Sequence, residues 1–80
     1  MIAEQIRTIL AQQARLTTEI ASLKDHDDLY QAGMTSHASV NVMLSLESKF
    51  DIEFPDRMLK RSVFESVASI QAALAELIVS

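Results

Sequence analysis

The chain has one glycine, Gly33, and one proline, Pro55, in 80 residues. Short strands need frequent turn residues between them, and the two strongest breakers of regular backbone are almost missing. Helices are therefore the expected element, interrupted near positions 33 and 55.

The apolar spacing agrees. Ile2, Ile6, Ile9, Leu10 and Ala14 recur at helical intervals among Glu4, Gln5, Arg7, Gln12, Gln13 and Arg15. This predicts an amphipathic helix over residues 2–16, ending near Thr17 and Thr18, where β-branched polar residues favour extended backbone. A second helix is expected over 36–50, with Val40, Met43, Leu46 and Phe50 facing the core and Asn41, Ser45, Ser48 and the apolar Leu44 facing away. Pro55 and Asp56 suit the start of a short helix over 56–60. A last helix is expected from Ser66, with Val67, Ile70, Leu74, Leu77 and Ile78 as its stripe. The fold class is all-α: a small four-helix bundle of three main helices and a short third one, with a long loop after the first.

That loop, residues 17–35, has no sustained period. Ile20, Leu23, Leu29 and Tyr30 are spaced as anchors to a core, and the run Asp25-His26-Asp27-Asp28 reads as a solvated stretch. Long loops in small domains are often functional. Gly33 is expected where the backbone needs a conformation or a close approach that a side chain would block.

Length sets the scale of what the chain can do. A single domain over 1–80 buries only about 60% of the surface its unfolded chain exposes, too little to enclose a large pocket. A net charge of -4 argues against nucleic acid as a partner. There is no cysteine for a disulfide or a thiolate zinc site. Glu4 and Arg7 interrupt the first apolar run too early for a signal peptide, and no run is long enough for a bilayer, so a cytoplasmic location without membrane contact is the default.

The chemistry concentrates at the start of the second helix. Thr35 and Ser36 are both good N-cap residues. The stretch Asp28-Leu29-Tyr30-Gln31-Ala32-Gly33-Met34-Thr35-Ser36-His37-Ala38-Ser39-Val40 resembles the modification site of acyl and peptidyl carrier proteins. In that family an acidic-hydrophobic loop leads to Gly-x-Asp-Ser-Leu, and the serine opens a helix. Gly33 and Ser36 keep the family's spacing, and Asp51-Ile52-Glu53-Phe54-Pro55-Asp56 resembles its exit from that helix. Thr35 stands in place of the usual Asp and His37 in place of the common Leu.

The resemblance implies a covalent 4'-phosphopantetheine on Ser36, flanked by Gly33, Thr35 and His37. It implies no catalytic residue in the chain. It also implies three kinds of partner: a phosphopantetheinyl transferase, an acyl- or aminoacyl-loading ligase, and a downstream transferase or synthase. The cargo is an acyl or aminoacyl thioester, in a specialised pathway rather than housekeeping fatty-acid synthesis. An aminoacyl carrier loaded by a discrete ligase is one alternative. An unmodified helical interaction module with a degenerate carrier fold is another, of a different class.

Other readings of these residues are weaker. His37 beside Ser36 suggests a hydrolase pair, but adjacent helical residues diverge by about a quarter-turn and no third group orients the histidine. His26 with Asp25, Asp27 and Asp28 lacks the glycine and closing glutamate of a calcium loop, so no metal site is expected. Partner docking is expected at His37, Asn41, Leu44, Ser45, Ser48 and Met58. This face holds few acids, so docking should depend on shape and hydrogen bonds more than on charge.

Overall fold

Helical spacing and caps account for most of the architecture in the computed structural model, which describes residues 2–14, 16–17 and 19–78. Among the described residues four α-helices form: α1 (Ile2–Gln13), α2 (Ser36–Phe50), α3 (Arg61–Phe64) and α4 (Val67–Ile78), with short 3-10 turns at Ile20–Ser22 and Asp56–Met58. Among the described residues there is no strand. Ile6, Leu10, Val42, Leu46, Val67, Ile70 and Leu74 are fully buried at the common centre of α1, α2 and α4. Burying each such side chain stabilises the fold by about 1.5–3 kcal/mol.

Helix α1 is shorter than expected. It stops at Gln13, although the Ala14 amide still donates to the Leu10 carbonyl at 2.9 Å. A competing partner explains the stop: the Thr17 amide and hydroxyl both donate to the Ala32 carbonyl, at 2.8 and 2.9 Å. Arg15 and Thr18, expected in and after this helix, lie outside the described residues.

The long loop is stitched down on both sides. The Arg7 guanidinium donates to the carbonyls of Ile20 and Leu23 at 3.0 and 2.8 Å and to Asp25 Oδ1 at 2.6 Å. The Leu29 amide donates to the Glu65 carbonyl at 2.7 Å, and the Ala68 amide to the Asp25 carbonyl at 2.8 Å. The acidic run is thus more than solvated. Asp27 Oδ2 accepts from the Lys24 amide, and Asp28 Oδ1 from the Tyr30 amide, both at 2.9 Å. Among the described residues no group of three His, Asp or Glu gathers to hold a metal. Gly33 needs its lack of a side chain twice over: its φ is +115°, and a Cβ would sit 2.9 Å from the Thr17 nitrogen.

The buried face of α2 is rotated from the expected one. Ala38, Val42 and Leu46 face the core, while Val40 is 47% exposed and Met43 and Phe50 are half-buried. Val40 and Val42 differ by about 200° around a helix, so only one can be central. Spacing alone fits either choice. The small Ala38 and the fully buried Val42 line up with Leu46 at intervals of four, and that row packs inward.

The exit from α2 is shaped by Glu47. Its carbonyl accepts from the amides of Asp51 and Ile52, and its Oε2 from the Phe54 amide at 2.9 Å. Asp51 takes the left-handed conformation, φ 53°, that ends a helix. The expected helix over 56–60 is instead a 3-10 turn followed by the separate α3. Phe64 of α3 is buried edge-on against Phe54, ring centroids 5.3 Å apart. Ser66 Oγ accepts from the Ser69 amide and Ser69 Oγ from the Ser66 amide, both at 3.1 Å, so α4 begins one residue later than expected. Ala73 joins the buried stripe of α4, and Ile78 faces solvent.

Candidate functional site

Ser36 is the first residue of α2 and is exposed. Of the two possible caps, Thr35 takes the role: its backbone is extended (φ -84°, ψ 166°) and its Oγ1 accepts from the Ala38 amide at 3.0 Å. The Ser39 amide is satisfied by the Thr35 carbonyl at 2.9 Å, and the Ser39 hydroxyl donates to the Ser36 carbonyl at 2.7 Å. Ser36 Oγ has no hydrogen-bond partner among the described residues, nor do the amides of Ser36 and His37. The serine hydroxyl is therefore both accessible and uncommitted, beside two helix-terminal N–H groups that favour a negative group. His37 is exposed and makes no hydrogen bond to Ser36.

A groove of about 370 Å³ opens beside Ser36, between the start of α2 and the segment around α3. Tyr30, Val40, Met43, Leu59 and Phe64 make its apolar walls; Ser36, Ser39, Lys60 and Arg61 are its polar members. The Arg61 carbon at the guanidinium centre lies 4.1 Å from the centre of the Tyr30 ring. A phosphopantetheine arm suits these surroundings. Its phosphodiester anion would meet free N–H groups and two cations, and its pantetheine chain an apolar wall.

The expected docking residues separate into clusters. His37 and Asn41 share a small depression with Thr35 and Ala38. Leu44, Ser45 and Ser48 line a shallow groove with Ile9, Gln12 and Lys49, and Leu44 is 53% exposed. Met58 does not belong with them: it is 4% exposed, folded under the 3-10 turn that bears it. Its place in a solvent-facing surface is corrected accordingly. The sequence reading missed the groove members Tyr30, Leu59, Lys60 and Arg61. For Leu59, Lys60 and Arg61 the visible signal was an apolar residue followed directly by two cations, four residues beyond Pro55.

Comparison with known proteins bears on this site. Residues 4–77 match the family model for the phosphopantetheine attachment site. The chain is 48% identical over 66 residues to the aminoacyl carrier protein of Agrobacterium fabrum (strain C58 / ATCC 33970), covering 82% of this chain and 80% of that protein. It also resembles a chain in the crystal structure of an engineered Bradyrhizobium japonicum glycine:[carrier protein] ligase complexed with a carrier protein from Agrobacterium tumefaciens and ATP. There the TM-score is 0.91 at 42% identity, over 95% of this chain and 99% of that one. The corresponding complex with AMP gives a TM-score of 0.89 at 44% identity, over 91% and 97%.

Proposed function

The chain belongs to the phosphopantetheine-attachment family of carrier proteins, and on that premise we propose that Ser36 bears the arm and that its cargo is an amino acid. The observation that carries the assignment is the exposed, unengaged Ser36 Oγ at the start of α2, at the mouth of an apolar groove rimmed by Lys60 and Arg61. The family's cofactor is covalent 4'-phosphopantetheine. Bound, it supplies a terminal thiol that holds cargo as a thioester, in a chain with no cysteine of its own.

The residues divide the work simply. Ser36 Oγ would hold the arm through a phosphodiester, its hydroxyl proton lost as a phosphopantetheinyl transferase moves the phosphoryl group from a phosphoanhydride donor, whose P–O bond breaks and whose other half leaves. Thr35 caps α2, so Ser36 has no structural duty to abandon. Lys60 and Arg61 offset the phosphodiester charge. The chain performs no bond-making with its cargo; it raises the cargo's effective concentration at a partner's active site.

Likeness to an aminoacyl carrier protein, and to carrier proteins solved with a glycine ligase, supports an amino acid over a fatty acyl group. The partners are then a transferase, a discrete amino acid:carrier protein ligase and a downstream acceptor enzyme, all in the cytoplasm. None of the described helices is long and apolar enough to cross a membrane.

Intact mass before and after co-expression with a promiscuous transferase tests the reading, followed by ligase, ATP and a panel of amino acids. Gain of one phosphopantetheinyl group, then of one amino acid, with neither on Ser36→Ala, is expected. A wild-type chain that stays unmodified would favour the degenerate interaction module instead.

A further inference from the structure

The turn that leads into Ser36 is tied residue by residue. The Gly33 amide donates to the Tyr30 carbonyl at 3.2 Å, and the Met34 amide to the Leu29 carbonyl at 3.0 Å. Met34 is buried, and Thr35 caps α2. These local bonds fix the shape of the turn but not its place against the chain leaving α1. Thr17 supplies that. Its amide and its Oγ1 both donate to the Ala32 carbonyl, at 2.8 and 2.9 Å. A Cβ at Gly33 would meet the Thr17 nitrogen, Cγ2 and Oγ1 at 2.9, 3.1 and 3.2 Å, so Thr17 covers the side of Gly33 where a side chain would stand.

We propose that Thr17 is a positioning residue for arm attachment: its grip on Ala32 and Gly33 sets where Ser36 Oγ stands when a transferase docks. The inference rests on Ser36 as the attachment point. Any residue but proline can offer the amide bond, so the hydroxyl is what threonine adds. The Ala32 carbonyl has two lone pairs, and two donors hold it from two directions. With one donor it stays paired but is free to rock about a single bond. Thr17 is exposed, so its hydroxyl can turn to water and little stability is lost. Position is what suffers. Ser36 follows four residues after Ala32, and the residues between are each tied, so the rocking is passed on to Ser36 Oγ. Attack on phosphorus demands alignment, and a misplacement of about 1 Å can cost about 100-fold in rate.

The test is the kinetics of arm transfer from coenzyme A by a promiscuous phosphopantetheinyl transferase, read by intact mass. Wild type is compared with Thr17→Val, which keeps the shape but not the hydroxyl, and with Thr17→Ser, which keeps the hydroxyl. Thr17→Ala stands in should valine disturb folding. Ile70→Val, in the buried stripe of α4 and far along the chain from the turn, controls for lost stability. Thr17→Val should lower kcat about fivefold, the equivalent of one net hydrogen bond, with KM changed less than about twofold because the docking face of α2 is untouched. Thr17→Ser should stay within about twofold of wild type, as should Ile70→Val. Amide shifts of Gly33 to His37 should move in the valine variant and not in the control. A wild-type chain that takes no arm at Ser36 would sink the attachment reading itself. Where wild type is modified, the Thr17 assignment alone is overturned by any of four results: an unchanged kcat for the hydroxyl-free variant, a serine variant as slow as valine, a control as slow as valine, or a loss confined to KM.

Discussion

Thr35 Oγ1 accepts the Ala38 amide at 3.0 Å, and by doing so it leaves the neighbouring serine hydroxyl free. A threonine here does the capping work that the family's usual aspartate would do. Thr35→Ala should cost about 1 kcal/mol, the typical value of a lost cap. In a domain of this size that is a fall in Tm of about 4–8 °C. Thr35→Asp should keep the cap and the Tm. Thermal unfolding of the two variants checks this, and an unchanged Tm for the alanine variant would count against the cap.

Arg7 holds the long loop through three hydrogen bonds, two of them to backbone carbonyls. Its side chain is 27% exposed and that of Asp25 55%, so the ion pair between them is well screened. Most of the stabilisation should come from the carbonyls. Arg7→Ala is expected to cost about 2 kcal/mol and Asp25→Ala less than about 1 kcal/mol. Equal losses in urea unfolding would show that the ion pair dominates.

The rotation of α2 makes two valines unequal. Val42→Ala removes two buried methyl groups and should cost about 2 kcal/mol, from lost transfer energy plus a cavity. Val40→Ala, at the groove wall, should change stability by less than about 0.5 kcal/mol. Denaturant midpoints decide, and a larger effect at Val40 would restore the expected face.

That pair also marks how far the sequence could be read. Ser36, Gly33 and the bounds of α2 were legible because caps and the single glycine act locally. The choice between Val40 and Val42 was not, since both fit a helical period and only packing into the shared core separates them. Ala14 and Leu16 were misread for a similar reason: the Ala32 carbonyl, fifteen residues beyond Thr17 in the chain, binds Thr17 and ends the helix early. α3 is four residues long, too short for periodicity to register, and its place depends on the Phe54–Phe64 contact. Lys60 and Arg61 carry no local signal of their place, which the fold sets in the wall beside Ser36.

The outward surface of α2 around His37, Asn41, Leu44, Ser45 and Ser48 carries no acid, and Lys49 beside it is basic. Docking to an amino acid ligase should then depend weakly on ionic strength. Between 50 and 500 mM salt the Kd should change by less than about threefold, because there is little charge to screen. Titration calorimetry at several salt concentrations is the check; a steep loss of affinity would point to an acidic docking patch elsewhere on the chain.

The central claim is the attachment of one arm at Ser36. The tryptic peptide spanning residues 25–49 holds Ser36 together with Ser39, Ser45 and Ser48, so fragmentation of that peptide after transferase treatment locates the group among four serines. A single phosphopantetheinyl group on Ser36 is the predicted result. Modification at Ser39 or another serine, or an unmodified peptide, would contradict it.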